Sequence, residues 1–109
     1  MTLTPDEMKR RTKKFGLRVI RLVQSLPNDH VSRRLGDQLL RSGTSVGANY
    51  RAACRGRSTA EFCSKLGIVE EETDESIYWM ELLVESNLVK ESLVTDLIAE
   101  GSEILAIVV

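Results

Sequence analysis

Histidine, cysteine and aromatic residues are scarce in this chain, and each scarcity argues against one kind of site. With His30 as the only histidine, the chain has no Glu-x-x-His pairs of the kind that a di-iron helical bundle requires. Cys54 and Cys63 lack the spacing of metal ligands or redox pairs, so both are expected to be reduced thiols packed as small apolar groups. Two phenylalanines, two tyrosines and one tryptophan are too few for the stacking platforms that read single-stranded bases. We therefore expect no metal ion and no cofactor.

Long apolar runs are missing as well. No stretch of about 18 apolar residues occurs, so the sequence predicts no transmembrane helix and no membrane partner. Residues 1–7 lead into neither an apolar core nor a small-residue cleavage site, which is unlike a signal peptide. Together with the reduced thiols, these features predict a cytoplasmic protein.

Only two prolines occur, and no segment alternates apolar and polar residues as a β-strand would. Pro5 and Pro27 both stand where a helix could begin. Thr4 and Glu7 form a capping box around Pro5, so helix 1 is expected to start at Thr4 and to end near Leu26. Its inward stripe repeats in steps of three and four and consists of Met8, Thr12, Phe15, Val19, Leu22 and Leu26.

Three further helices are expected, from about Asp29 to Arg55, from a second capping box at Ser58 to about Asn87, and from about Lys90 to Val108. Four amphipathic helices with short connections predict an all-α fold, an antiparallel up-down-up-down four-helix bundle that forms a single domain over residues 1–109. The inward positions of helices 2 to 4 are, in chain order, Val31, Leu35, Leu39, Ser42, Val46, Asn49, Ala53, Phe62, Leu66, Val69, Thr73, Ile77, Met80, Val84, Leu93, Leu97, Gly101, Ile104 and Val108.

Small residues form a second stripe beside the inward stripe of helix 2. Gly36, Gly43 and Gly47 share this side, although a glycine inside a helix costs about 1 kcal/mol relative to alanine. Two explanations are open: another backbone passes close to these glycines, or helix 2 kinks around Gly43.

Polar residues at helical spacing in helix 2 face an acidic segment of helix 3. We predict that Ser42, Ser45 and Asn49 form a seam that bonds across to helix 3, where Glu71 and Glu75 come within reach. The seam is interpreted as a structural network that fixes the register of the helices, with ligand binding as the alternative. The residues assigned to this motif are Ser42, Ser45, Gly47, Asn49, Glu71 and Glu75.

No arrangement of residues indicates catalysis. The serines of helix 2 have no histidine base near them in sequence, and Gly43–Gly47 lacks the lysine and the preceding strand of a phosphate-binding loop. The carboxylates of residues 70–75 are interpreted as a solvated acidic face with salt bridges. We therefore predict no catalytic residues and a protein that is not an enzyme.

The two halves of the chain carry opposite charge. Residues 1–57 contain 13 Lys and Arg against 4 Asp and Glu, whereas residues 58–109 contain 2 against 12. Either the halves pair within the molecule, or a basic surface meets a partner or nucleic acid. Such a surface can bind phosphate backbones, or it can be a solvated, salt-bridged face. The residues assigned to nucleic-acid binding are Arg10, Lys14, Arg18, Arg21, Arg51 and Arg55.

Several large apolar residues fall outside the predicted core stripes. Leu17 and Ile20 point away from the inward face of helix 1, Leu40 lies beside that of helix 2, and Tyr78 and Trp79 flank that of helix 3. One bundle cannot easily bury all of them, so a second buried surface between copies of the chain is expected. Opposed charges on the two halves fit a head-to-tail ring. The residues assigned to this oligomer interface are Leu17, Ile20, Leu40 and Trp79.

The segments Gln38–Ser58, Glu61–Leu66 and Glu71–Trp79 resemble the four helix bundle proteins of the 23S rRNA-intervening sequence family. The resemblance implies a small bacterial protein that forms a barrel-like homopentamer. It also implies similarity to the accessory protein of diversity-generating retroelements, which binds nucleic acid and its reverse transcriptase through a basic surface. The resemblance implies no catalytic residues. It implies only a packing role for Gly36, Gly43 and Gly47 and for the Ser45–Asn49 segment.

Two functions follow as hypotheses. The first is a non-enzymatic homo-oligomer, a pentamer, that binds RNA or DNA through a basic face. The alternative is a protein-interaction scaffold that docks a larger enzyme and does not bind nucleic acid.

Overall fold

The computed structural model of the chain describes residues 3–109, and the regular structure within them is entirely helical. Met1 and Thr2 lie outside the described residues. The described part holds four helices and no strand, which confirms the predicted all-α class, and the helix boundaries lie close to the predicted ones. No helix in residues 3–109 has the length and apolarity needed to cross a membrane. The helices are α1 (Pro5–Gln24), α2 (His30–Cys54), α3 (Thr59–Glu85) and α4 (Glu91–Val108).

Side chains cap the starts of the first three helices. The hydroxyl of Thr4 accepts a hydrogen bond from the backbone N–H of Glu7 at 3.1 Å, and Ser58 does the same for Glu61. Asp29 caps α2 by accepting from the backbone N–H of Ser32 at 2.9 Å. Each cap of this kind stabilises its helix by about 1 kcal/mol, so the helix starts are fixed locally by the sequence.

The four helices pack side by side around one core. α2 lies between α1 and α3, and α4 packs against α3 and closes against α1. The diagonal pairs, α1 with α3 and α2 with α4, have no backbone contact within residues 3–109. The core therefore has contributions from all four helices. Its largest fully buried side chains are Phe15, Val19, Leu39, Val46, Val69, Met80, Leu83, Val94 and Ile104.

The small-residue stripe of α2 lies against α1. A Cβ atom at Gly47 would stand 3.3 Å from the carbonyl carbon of Thr12, and one at Gly43 would stand 2.7 Å from both methyl carbons of Val19. α2 is one uninterrupted helix from His30 to Cys54. These contacts favour the first explanation for the glycines, a close approach of another helix.

Two residues predicted to face inward are exposed, and those predictions were wrong. The exposed fraction of Val31 is 53% and that of Leu93 is 64%, while Ser32 and Val94, one position further on, are buried. In α2 the glycines explain the error. Their side of the helix packs closely on α1, so the buried stripe lies nearer to the glycines than the hydropathy pattern predicted. Tyr50 is buried for the same reason, and the predicted core position Asn49 is only half-buried.

Candidate functional site

Four basic residues share the solvent side of α1 and form what we call the basic stripe: Arg10, Lys14, Arg18 and Arg21. The capping box fixes the start of α1, and steps of four, four and three residues keep the stripe on one face of a helix with 3.6 residues per turn. Three of the side chains are exposed, and Arg18 is half-buried. The structure therefore brings these four predicted residues together.

The basic stripe makes no ion pair within residues 3–109. None of its four side chains has a carboxylate oxygen within 4.0 Å in residues 3–109. The next residue along, Arg11, differs: its Nε lies 2.7 Å from Oε2 of Glu100, and its guanidinium also pairs with Glu103. Arg11 thus joins α1 to α4, while the stripe beside it stays available to solvent and partners.

The Arg11 pairing changes the acidity of both partners. The hydrogen bond from Arg11 is the largest cause that lowers the pKa of Glu100 below its ordinary value, and the positive charges of Arg11 and Arg18 lower it further. The same hydrogen bond is the largest cause that raises the pKa of Arg11. Glu100 is therefore charged at neutral pH and tied to the helix that carries the stripe.

A second cross-helix cluster lies between α2 and α3. Nη1 of Arg41 lies 3.2 Å from Oε2 of Glu72, and Nη2 pairs with Glu75. Arg11 and Arg41 are the only basic side chains with a carboxylate within 4.0 Å in the described part of the chain. Pairing between the halves therefore involves two of the 13 basic residues in residues 1–57, and most of the basic charge stays on the surface.

Arg51 and Arg55 are exposed but do not lie on the basic stripe. Arg51 lines a groove between α1 and α2 together with Lys9 and Lys13. Arg55 lies at the turn between α2 and α3, near Glu61 and Lys65. The six residues assigned to nucleic-acid binding are thus divided among three places.

The groove beside Arg51 holds two of the four predicted interface residues, and we call it the α1–α2 outer groove. Leu17 and Ile20 line it over a floor of small residues, and the exposed fraction of Leu17 is 45%. Leu40 is exposed one helical turn before Thr44, a lining residue whose hydroxyl donates to the carbonyl of Leu40 at 2.7 Å. Lys9, Lys13 and Leu17 follow one another at four-residue steps, so helical spacing alone places these three lining residues on one face of α1.

Trp79 lies apart from this groove, on α3. It is half-buried against the core, and its indole nitrogen is buried with no hydrogen-bond partner in residues 3–109. Tyr78 stacks edge-on against it with ring centroids 5.2 Å apart, and 52% of Tyr78 is exposed. Of the two aromatic residues, Tyr78 is the one that offers surface to a partner.

Among the described residues, Ser42 is the only member of the predicted polar seam whose side chain hydrogen-bonds to α3. The hydroxyl of Ser76 donates to the buried hydroxyl of Ser42 at 2.9 Å. Ser45 and Asn49 instead bond within α2: the Ser45 hydroxyl donates to the carbonyl of Arg41, and the Asn49 side chain donates to the carbonyl of Ser45. Sequence reasoning missed Ser76, although a serine three residues after the inward Thr73 was the available signal.

The acidic members of the predicted motif separate in the same way. Glu75 pairs with Arg41, whereas Glu71 is exposed and has no ion pair in residues 3–109. Gly47 belongs to the contact with α1 instead of the seam. In the part of the chain that the structure describes, no three His, Cys, Asp or Glu side chains come together as metal ligands would.

The fold and these surfaces define a class: a small all-α protein of four packed helices, with most basic residues on α1 and α2 and most acidic residues on α3 and α4. The family model described as 23S rRNA-intervening sequence protein matches residues 6–109. The chain therefore belongs to the 23S rRNA-intervening sequence protein family, as its sequence resemblance predicted.

A solved structure supports this assignment. The chain is 33% identical to a protein with unknown function from the S23 ribosomal protein family of Bacteroides thetaiotaomicron, known from a crystal structure. The similarity covers 93% of this chain and 94% of that one, with a TM-score of 0.85. No curated protein matches the chain.

Proposed function

We propose that the protein is a non-enzymatic homo-oligomer that binds RNA or DNA through the basic stripe of α1. The contrast between neighbouring residues carries the proposal. Arg11 pairs with two carboxylates of α4, whereas Arg10 and Lys14 have no carboxylate within 4.0 Å in the described residues. Unpaired cations along one exposed face suit a phosphate backbone, because each phosphate that they neutralise releases a condensed counterion.

The helices are proposed to form an antiparallel up-down-up-down bundle. In support, Gly36 of α2 lies against Val23 of α1, whereas Gly47 lies against Thr12. As residue numbers rise along α2, the residue numbers of the contacted positions in α1 fall, as they do in two antiparallel helices. This arrangement leaves the outer faces of all four helices open to partners.

The oligomer is proposed to be a ring-like homopentamer in the cytoplasm. Two features support a second buried surface: the apolar residues Leu17 and Leu40 are exposed, and most charges of the two halves have no ion pair within residues 3–109. The family resemblance supports the pentamer. In sedimentation experiments we expect the mass of five chains, and the mass of a single chain would contradict the proposal.

The absence of enzymatic activity is part of the proposal. Ser42, the buried serine of the seam, is bonded to another serine, and the only histidine, His30, is exposed at the start of α2. Twelve residues separate them along one helix, about 18 Å at 1.5 Å per residue. This distance keeps the serine from a histidine base on its own helix.

Nucleic-acid binding is tested by measuring affinity for duplex and single-stranded RNA and DNA over a range of salt concentrations. The logarithm of the association constant should fall linearly with the logarithm of salt concentration. Changing Arg10, Lys14, Arg18 and Arg21 together to glutamine should reduce the slope for duplex DNA by about 3 to 4, because each phosphate contact contributes about 0.9.

A matched control removes the same charge from elsewhere on the surface. The exposed residues Arg33, Arg34, Lys65 and Lys90, all changed to glutamine, lower the net charge equally but lie off the stripe. This control should keep nearly the wild-type slope. Equal losses in the two variants would show that net charge alone drives binding and would overturn the stripe assignment.

A wild-type protein without affinity for any nucleic acid near physiological salt would favour the alternative function. In that case the protein is a scaffold that docks a larger enzyme. A co-purifying enzyme that is released when the stripe residues are changed would support this alternative.

A further inference from the structure

We infer that the α1–α2 outer groove receives the acidic outer face of α3 from a neighbouring copy of the chain, with Tyr78 at its centre. This inference rests on the proposed homo-oligomer and specifies which two surfaces meet in it. It assigns a partner to a groove that stays open among the described residues 3–109.

The floor of the groove is made of small residues. Gly16, Gly47 and Ala48 line it, and α1 and α2 approach so closely there that a Cβ at Gly47 would lie 3.3 Å from the carbonyl carbon of Thr12. Leu17 and Ile20 form its apolar wall. Such a depression can take a large side chain from a partner and bury apolar surface on both sides.

The rim of the groove specifies the charge of its occupant. Lys9, Lys13 and Arg51 line it, and none has a carboxylate within 4.0 Å in the described residues. An occupant with carboxylates around an apolar or aromatic centre would pair with this rim. A basic or purely apolar occupant would leave the three cations unpaired.

The outer face of α3 has this composition. Tyr78 is 52% exposed, with Asp74 four residues before it and Glu81 three residues after it. Glu70 and Glu85 extend the same exposed face by one turn at each end. None of these four carboxylates has an ion pair within residues 3–109. The face therefore offers unpaired negative charge around one aromatic ring.

The two surfaces also match in length. From Glu70 to Glu85 the face of α3 extends for about 22 Å, and from Lys9 to Ile20 the groove extends for about 17 Å, at 1.5 Å per residue. A helix laid along the groove could place Tyr78 over the small-residue floor and its carboxylates along the rim.

The groove and the acidic face lie on different helices, so one copy can use both at once. Contacts between unlike surfaces join copies head to tail, and a closed ring results when the rotation between copies closes. The basic stripe stays outside this contact. Lys13 and Lys14 point about 100° apart around α1, so one can line the groove while the other stays free.

Charge exchange tests the pairing. The variant Lys13→Glu with Arg51→Glu reverses the rim, and Asp74→Lys with Glu81→Lys reverses the face; each should sediment as a single chain. All four changes in one chain restore opposite charges, so this variant should regain the wild-type mass. Arg33→Glu with Arg34→Glu, exposed changes away from the groove, should keep the wild-type mass.

A steric variant tests the groove without changing charge. Ala48→Trp fills the floor from an exposed position and should give single chains that remain folded. Ala99→Trp places the same bulk on the exposed side of α4 and should leave the assembly intact. Circular dichroism checks that each variant is folded.

The outcomes separate the two proposals. A single-chain mass for the wild-type protein would reject the homo-oligomer and this inference with it. A wild-type oligomer that persists in the rim and Ala48→Trp variants would reject only the inference. Loss of assembly in the rim variant, but not in the face variant, would overturn α3 as the occupant, and failure of the fourfold variant to reassemble would overturn the charge pairing.

Discussion

At Arg11 a single guanidinium joins two helices that come together from opposite ends of the chain. Its Nε and one Nη bind both carboxylate oxygens of Glu100, at 2.7 and 2.8 Å, and it also reaches Glu103. The side chains of Arg11 and Glu100 are 26% and 19% exposed, whereas that of Glu103 is 65% exposed. The pair with Glu100 is therefore less screened by water than the pair with Glu103.

The lowered pKa of Glu100 makes stability depend on pH. A carboxylate whose pKa is lower in the folded than in the unfolded state stabilises the fold above its ordinary pKa, and this contribution is lost as pH falls through the lower, folded value. We expect Glu100→Gln to lower the free energy of unfolding by about 1 kcal/mol at pH 7 and to lose less stability than wild type on acidification.

Urea denaturation at pH 7 and in acid measures this effect. Glu103→Gln is the matched control, because its more exposed carboxylate should contribute less. Equal effects of the two substitutions at pH 7 would contradict a special role for Glu100.

At the scale of elements, the glycine face of α2 determines how closely α1 packs. A Cβ at Gly43 would stand 2.7 Å from both methyl carbons of Val19, which is too close for carbon atoms. Alanine would gain about 1 kcal/mol of helix propensity, but overpacking costs about 1–3 kcal/mol. Gly43→Ala is therefore expected to lower the free energy of unfolding by about 1 kcal/mol.

The same substitution in α3 should act in the opposite direction. Apart from its two chain neighbours and the adjacent backbone of its own helix, no heavy atom of the described residues would lie within 4 Å of a Cβ at Gly67. Gly67→Ala should therefore raise the free energy of unfolding by about 0.5–1 kcal/mol. Urea denaturation of both variants measures the pair of effects, and a stabilising Gly43→Ala would show that the helices are not in tight contact there.

How much of each helix could be predicted depended on whether its sequence contains a capping box and a regular apolar stripe. α1 has a capping box and a regular apolar stripe, and its predicted positions from Met8 to Leu22 are buried. α2 was predicted with a rotated stripe because glycine has no hydropathy signal. Whether a glycine of α2 is buried depends on how closely α1 packs against it, and the sequence of α2 alone does not give this.

The candidate surfaces were predictable in part for a similar reason. Helical spacing alone placed Arg10, Lys14, Arg18 and Arg21 on one face. That Arg11 is paired and Arg10 is not depends on where Glu100 of α4 comes to lie. The α1–α2 outer groove requires the register of two helices, so the sequence yielded Leu17, Ile20 and Leu40 without the surface that unites them.

For the whole molecule, unpaired charge of both signs predicts an assembly that responds to salt. The electrostatic screening length falls from about 10 Å at 0.1 M salt to about 3 Å at 1 M, which weakens exposed pairs between copies. We expect the proposed ring to be most stable at low salt and to release smaller species as salt rises. Sedimentation velocity across this range measures the shift, and a mass that does not change with salt would contradict a charge-dependent interface.

The arrangement of α1 has a consequence for how freely its sequence can vary. Lys13, Lys14 and Phe15 are consecutive, yet they belong to the groove, the basic stripe and the core. Deleting one residue here would turn the preceding part of the helix by about 100° and move each surface to the place of another. An ordinary surface helix has one face on which substitutions are harmless, whereas the proposed roles of the groove and the stripe would leave α1 almost none.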